Sequence, residues 1–115
     1  MYKLINFLFT VPSLPPTNVS AHNTSSTSLH VTWHEVPKGF VHGILLGYRV
    51  LYKIANVTGN KSITTTSETT NKRELQELKK FTIYEITVLA FTAIGDGANS
   101  KSIHVSTDED GKRLI

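Results

Sequence analysis

Three stretches of this chain alternate apolar and polar residues with a period of two, and this pattern restricts the fold more than any other feature. Leu29, Val31 and Trp33 alternate with His30, Thr32 and His34, and Tyr48, Val50 and Tyr52 alternate with Arg49, Leu51 and Lys53. Tyr84, Ile86, Val88 and Ala90 alternate in the same way with Glu85, Thr87, Leu89 and Phe91. Successive side chains on a strand point to opposite faces, so each stretch predicts a strand with one buried face. Serine and threonine make up 25 of the 115 residues, 15 of them threonine. Threonine suits a pleated surface and Ser/Thr clusters suit turns, so the composition agrees with short strands joined by polar loops.

Weaker strand signals fill in around these three. Pro12, Pro15 and Pro16 form a stiff, extended lead-in, because proline fixes φ and pushes the residue before it out of helical space. Asn18 to His22 reads as a first strand, ended by the polar run from Asn23 to Thr27. Lys61 to Thr66 and Ser102 to Thr107 read as two more, and Gly95-Asp96-Gly97 is a tight-turn signal. The segment from Asn71 to Phe81 is ambiguous. Its strong helix formers, with Leu75 and Leu78 three apart, favour a helix by propensity. A segment so short is marginal as a helix, and context in an all-strand chain overrides propensity, so an extended form is expected.

The chain has no cysteine. It therefore has no disulfide framework, no thiolate metal site and no cysteine nucleophile, and its core must hold by apolar burial. The apolar stretch Ile44 to Tyr48 stops at Arg49, well short of the roughly 20 residues of a membrane-spanning helix. A net charge of +3, spread over 12 basic and 9 acidic residues, is too mild to argue for nucleic acid. Residues 1–13 stand apart. A basic start, the apolar run Leu4 to Val11 and a small-residue site near Ser13 have the order of a secretory signal, although the run is short and Asn6 interrupts it. A signal and an artefactual leader both remain open. Residues 14–107 are expected to form the domain, and 108–115 a charged tail, so the chain reads as a piece of a longer protein.

Seven short strands at close spacing, without cysteine, point to an all-β, two-sheet sandwich. Pro15-Pro16, Ser28 to Trp33, Gly47-Tyr48-Arg49-Val50-Leu51-Tyr52, Leu78 six residues before Tyr84, and the run from Tyr84 to Ala90 occur in an order and spacing that resemble a fibronectin type III domain. The resemblance implies a seven-stranded immunoglobulin-like sandwich whose structural core includes Trp33, Tyr48, Leu78 and Tyr84. It also implies that Tyr84 is a corner tyrosine, its ring inward and its hydroxyl bonded to nearby upstream backbone. The family often places a Pro-Gly turn between that leucine and tyrosine, where this chain has Lys79-Lys80-Phe81-Thr82. That departure leaves the turn geometry open.

Catalytic and cofactor chemistry find no support in the residues. His30 and His34 share a strand face but sit about 13 Å apart at strand rise, and His22, His42 and His104 fall in other segments. No serine stands in a G-x-S-x-G elbow, and Gly95-Asp96-Gly97 lacks the third glycine and following helix of a phosphate loop. The chain is expected to be no enzyme and to hold no cofactor.

Four N-x-[S/T] sequons are present, at Asn18, Asn23, Asn56 and Asn60. Asn56 and Asn60 flank Gly59 in what should be an exposed hairpin loop. Two surfaces are candidates for contact. If the tyrosine-bearing faces point inward, Leu51, Leu89 and Phe91, rimmed by Arg49 and Lys53, form an outward apolar strip suited to a protein partner. Ordinary cross-strand packing would account for the same residues. Lys72, Arg73, Lys79 and Lys80 form a basic patch, which by the resemblance suits sulfated glycans, although Glu74 and Glu77 dilute it. The resemblance implies a non-catalytic interaction or spacer module, extracellular or at the cell surface, in a multidomain adhesion or receptor protein whose membrane anchor would lie outside this segment. The alternative it leaves is an accessory domain of an extracellular enzyme or a receptor-type tyrosine phosphatase.

Overall fold

The computed structural model describes residues 9–59 and 61–108. Seven strands occupy them: β1 (Thr17–Ser25), β2 (Ser28–His34), β3 (Gly47–Ile54), β4 (Ser62–Thr65), β5 (Lys72–Leu75), β6 (Ile83–Phe91) and β7 (Ile103–Ser106). They form two antiparallel sheets, β1-β2-β5 and β4-β3-β6-β7. The all-β sandwich expected from the alternation is the architecture observed. No helix among the described residues is long and apolar enough to cross a membrane.

The core is built from the period-two positions. Leu29, Val31 and Trp33 of β2 face Tyr48 and Val50 of β3 and Ile86, Val88 and Ala90 of β6, and all eight are buried. Trp33 lies against Tyr48 with ring centroids 5.4 Å apart and planes tilted by 57°. Such a tilted contact brings the positive edge of one ring near the negative face of the other, which adds about 0.5–1.5 kcal/mol to the burial itself. The Tyr48 hydroxyl accepts a hydrogen bond from the Val36 amide at 3.1 Å, which fixes the loop after β2. Burial raises the pKa of this hydroxyl, against the Val36 amide, which lowers it.

The ambiguous segment is extended. β5 pairs with β2 in a register that sets Leu75 opposite Leu29, and Leu75 is 2% exposed. A helix there would give up that ladder and the buried leucine, and this tertiary gain exceeds the few tenths of a kcal/mol per residue that propensity offers. The chain then turns a corner. Leu78 is buried, and the Tyr84 hydroxyl accepts from the Lys79 amide at 2.8 Å, five residues upstream. In place of a Pro-Gly turn, Phe81 takes a left-handed backbone (φ 51°) with its side chain exposed. Thr107 straps the corner, its hydroxyl donating to the Lys79 carbonyl at 2.7 Å and accepting from the Thr82 amide at 3.0 Å.

Two segments differ from expectation. β1 runs on to Ser25 instead of ending at His22, leaving only Ser26 and Thr27 to turn into β2. The turn before Gly95-Asp96-Gly97 has its tip at Ala93 and Ile94, closed by reciprocal backbone bonds between Thr92 and Gly95 at 3.0 and 3.1 Å. The proline lead-in is also bound to the domain. Thr10 and Ser13 donate backbone bonds to the His42 and Phe40 carbonyls, at 2.7 and 2.9 Å, and Pro12 is buried. The signal-like run, up to residue 8, and the tail beyond residue 108 lie outside the described residues, as does Asn60.

Candidate protein-interaction face

The outward face of the four-stranded sheet follows from register. Cross-strand partners share a face, so Arg49, Leu51 and Lys53 of β3 stand beside Leu89, Thr87 and Glu85 of β6, and Arg49 and Leu51 stand beside Thr65 and Ile63 of β4. Two long cations organise this face. Arg49 places its guanidinium 3.9 Å from the Phe91 ring centroid, donates to Asp96 at 2.9 Å and reaches the Thr65 hydroxyl at 3.3 Å. Lys61 crosses β3 to reach the Thr87 hydroxyl at 3.3 Å and the Glu85 carboxylate at 3.6 Å. Stacking on an aromatic ring and pairing with a carboxylate hold a guanidinium in one orientation, so Arg49 is a fixed feature of the surface.

This arrangement narrows the expected apolar strip. Leu89 is 4% exposed and offers no contact surface, because it lies on an inner strand of the sheet opposite the aliphatic stem of Arg49. Phe91 is half-buried under the guanidinium. The open apolar surface is Leu51, which is partly exposed, and Ile63, at 57%. Ile63 is the residue that the sequence pattern missed. It sits in a weak, threonine-rich strand, and only the register shows that it stands opposite Leu51. The sequence marks Asp96 as turn chemistry alone, whereas in the fold it is the anion that fixes Arg49.

The basic patch is divided. Lys72 and Arg73 are adjacent on β5 and so point to opposite faces, while Lys79 and Lys80 follow Leu78 in the corner. Among the histidines, the register brings His22 rather than His34 beside His30, with ring centroids 5.5 Å apart. His30 Nδ1 lies 3.0 Å from Glu74, which also accepts from the Thr24 hydroxyl at 2.5 Å. The Thr24 bond, and then His30, hold the Glu74 carboxyl below its ordinary pKa. Among the described residues no group of three His, Cys, Asp or Glu is placed to hold a metal ion.

The sequons differ in surroundings. Asn18 Nδ2 lies 3.2 Å from His34 Nδ1, and Asn23 Nδ2 donates to the Ser106 carbonyl at 2.8 Å, tying β1 to β7. Asn56 is exposed in the turn after β3, with a left-handed backbone (φ 63°).

Comparison with known proteins agrees with this architecture. The fibronectin type III domain model matches residues 14–106. Among relatives, Gallus gallus protein sidekick-1 is 43% identical over 101 residues, and Homo sapiens cell adhesion molecule DSCAM is 44% identical over 104. Each alignment covers 87% of this chain, which spans only 5% of the length of either relative. Among solved structures, the chicken CNTN1 FN1-FN3 domains align with a TM-score of 0.78 at 30% identity, over 85% of this chain and 33% of that one. The third fibronectin III domain of human KIAA0343 protein aligns at 0.77 and 26% identity, over 91% and 90%. A family match across all seven strands, with the cell adhesion molecule DSCAM among the relatives, makes the chain a member of the fibronectin type III family.

Proposed function

We propose that this chain is a non-catalytic, protein-binding module of a multidomain adhesion or receptor protein at the cell surface, and that it makes contact through the outward face of the four-stranded sheet. The observation that carries this reading is the pair formed by the partly exposed Leu51 and the exposed Ile63 beside the clamped Arg49, a small apolar centre with a polar rim of mixed charge. Interfaces of modest size have this composition, with aromatic, aliphatic and arginine anchors inside a solvated border. The complementary partner surface is apolar at its centre and polar around it, with an acidic group to meet Lys53, since Asp96 and Glu85 already pair Arg49 and Lys61. The sidekick and DSCAM relatives support adhesion as the class of work. The divided lysine patch makes sulfated glycan the weaker ligand, and a passive spacer would need no such face.

The test is adhesion of beads carrying an array of the chain to cells. Ile63→Lys is suited to it, because the side chain is already exposed and the fold does not depend on it. The variant should retain the wild-type melting temperature and lose most bead adhesion, and Arg49→Ala should weaken it too. Adhesion that survives Ile63→Lys but is lost in a Lys79→Glu, Lys80→Glu double variant, or after heparan sulfate is stripped from the cells, would replace this reading with the glycan one. An array that adheres to nothing would leave the spacer.

A further inference from the structure

We infer that Asn56 is the N-glycosylation acceptor of this domain, an inference that rests on the cell-surface reading for its route through a secretory compartment. Transfer requires an Asn-x-Ser/Thr sequence whose side-chain amide and +2 hydroxyl are accessible. The amide Nδ2 attacks C1 of the first sugar of a lipid-pyrophosphate-linked oligosaccharide. An N–C1 bond forms, the C1–O bond to the lipid pyrophosphate breaks, and the amide gives up one of its two protons. Whatever accepts the glycan must then fold with a bulky, polar substituent on Nδ2 and one donor fewer.

Three of the sequons fall within the described residues, and they differ on this criterion. Asn23 is half-buried, and its Nδ2 is the donor that joins β1 to the Ser106 carbonyl of β7 across the sandwich edge. A sugar there has to break that link. Asn18 Nδ2 is engaged with His34 Nδ1 on the face of the three-stranded sheet. Asn56 has no side-chain hydrogen bond among the described residues, and Asn56, Val57 and Thr58 are all exposed. The fold also holds the turn around it in place. Lys53 Nζ donates to the Val57 carbonyl at 2.8 Å, and the Ala55 amide donates to the Ile83 carbonyl at 2.9 Å. Asn56 and Asn18 both take the left-handed backbone that asparagine tolerates better than most residues, so what separates them is the engaged amide of Asn18. Asn56 lies in the turn past Ile54, the last residue of β3, whereas Leu51 and Ile63 stand opposite each other within the β3–β4 ladder.

The experiment places the chain behind a strong secretion leader in a eukaryotic host, so that it enters the secretory route whatever its natural compartment. Purified protein is treated with peptide N-glycosidase in heavy-oxygen water, and the peptides are mapped by mass spectrometry. The expected result is heavy-oxygen label at residue 56, absent in Thr58→Ala, which leaves Asn56 itself in place. Ser20→Ala and Ser25→Ala, which cancel the Asn18 and Asn23 sequons, should leave the glycosylated fraction unchanged. Label confined to Asn18, Asn23 or Asn60, or a secreted chain that carries no glycan, would overturn the assignment. The bead assay runs on unglycosylated protein, so either outcome here leaves the adhesion result to stand or fall separately.

Discussion

Gly47 gives a sharp test of how the contact face is built. It opens β3 opposite Phe91, and a Cβ added there would stand 2.0 Å from the Thr66 carbonyl oxygen, 3.1 Å from its carbon and 3.3 Å from the Phe91 ring. Ordinary carbon–oxygen contact is near 3.4 Å, so the Thr66 carbonyl must retreat by more than an ångström. That carbonyl belongs to backbone held by the Thr66 amide bond to the Tyr48 carbonyl at 2.9 Å, next to the Arg49–Thr65 pair. The φ of Gly47 is not in the left-handed region, so the strand itself would accept alanine and the collision alone forbids it. Overpacking typically costs about 1–3 kcal/mol, and the smaller unfolded-state entropy of alanine returns about 0.4–1. Because hydrogen-bonded backbone has to move, the cost falls in the upper half of that range, and Gly47→Ala should lose a net of about 1–2.6 kcal/mol, a fall of roughly 5–20 °C in melting temperature for a domain of this size. Urea unfolding followed by Trp33 fluorescence measures it, with Gly39→Ala as control, since nothing lies within 4 Å of a Cβ at Gly39. A Gly47→Ala protein within 0.3 kcal/mol of wild type would show that the approach of Thr66 to β3 is not as described, and the placement of β4 and Ile63 on this face would fail with it.

Tyr84→Phe keeps the ring but leaves the Lys79 amide without its acceptor, and should cost about 1–2 kcal/mol by urea unfolding. Phe81→Gly should raise stability by about 0.5–1 kcal/mol, because it relieves a left-handed non-glycine residue while removing a side chain that is 75% exposed; a loss of stability would contradict the strained turn. The Glu74 carboxyl is held below its ordinary value of 4.5, so its ionised form contributes stability that is present above that value and is lost as the pH falls through the depressed one. Glu74→Gln should accordingly be less stable than wild type at neutral pH, with the gap narrowing as the pH is lowered below 4.5, as read from paired melting curves across that range; a constant difference would remove Thr24 and His30 as the cause.

The alternation around Trp33, Tyr48 and Tyr84 was sufficient to locate β2, β3 and β6, because strand periodicity and burial on one side are the same physical fact. Local signals failed where a long-range partner decides the outcome. Lys72 to Leu75 has helix formers, yet its conformation is set by Leu29 across the ladder, and that pairing leaves no mark in the segment itself. The contact face shows the same limit. Its side of the sheet was legible from the pattern, but the burial of Leu89 and the exposure of Ile63 depend on which strands flank β3 and β6 and where Arg49 and Lys61 lie. Clasps between distant loops, such as Asn23 to Ser106 or Thr10 to His42, depend on tertiary placement and have no period to detect.

The bonds that tie the proline lead-in to the loops acquire a mechanical meaning if the domain is strung between others and pulled. Tension arriving from the amino-terminal side meets the Thr10–His42 and Ser13–Phe40 backbone bonds, together with the Thr92 hydroxyl bond to the Thr10 carbonyl, before it reaches β1. Once those bonds, the Ser13–His42 side-chain bond and the burial of Pro12 and Pro16 have given way, the seven residues from Thr10 to Pro16 peel off, a contour of up to about 25 Å at full extension. While the lead-in peels, the strand ladders, the Trp33–Tyr48 core and the outward face keep their own contacts. The lead-in is thus a small extensible fuse that lets such a linkage lengthen under brief force while the folded module remains intact.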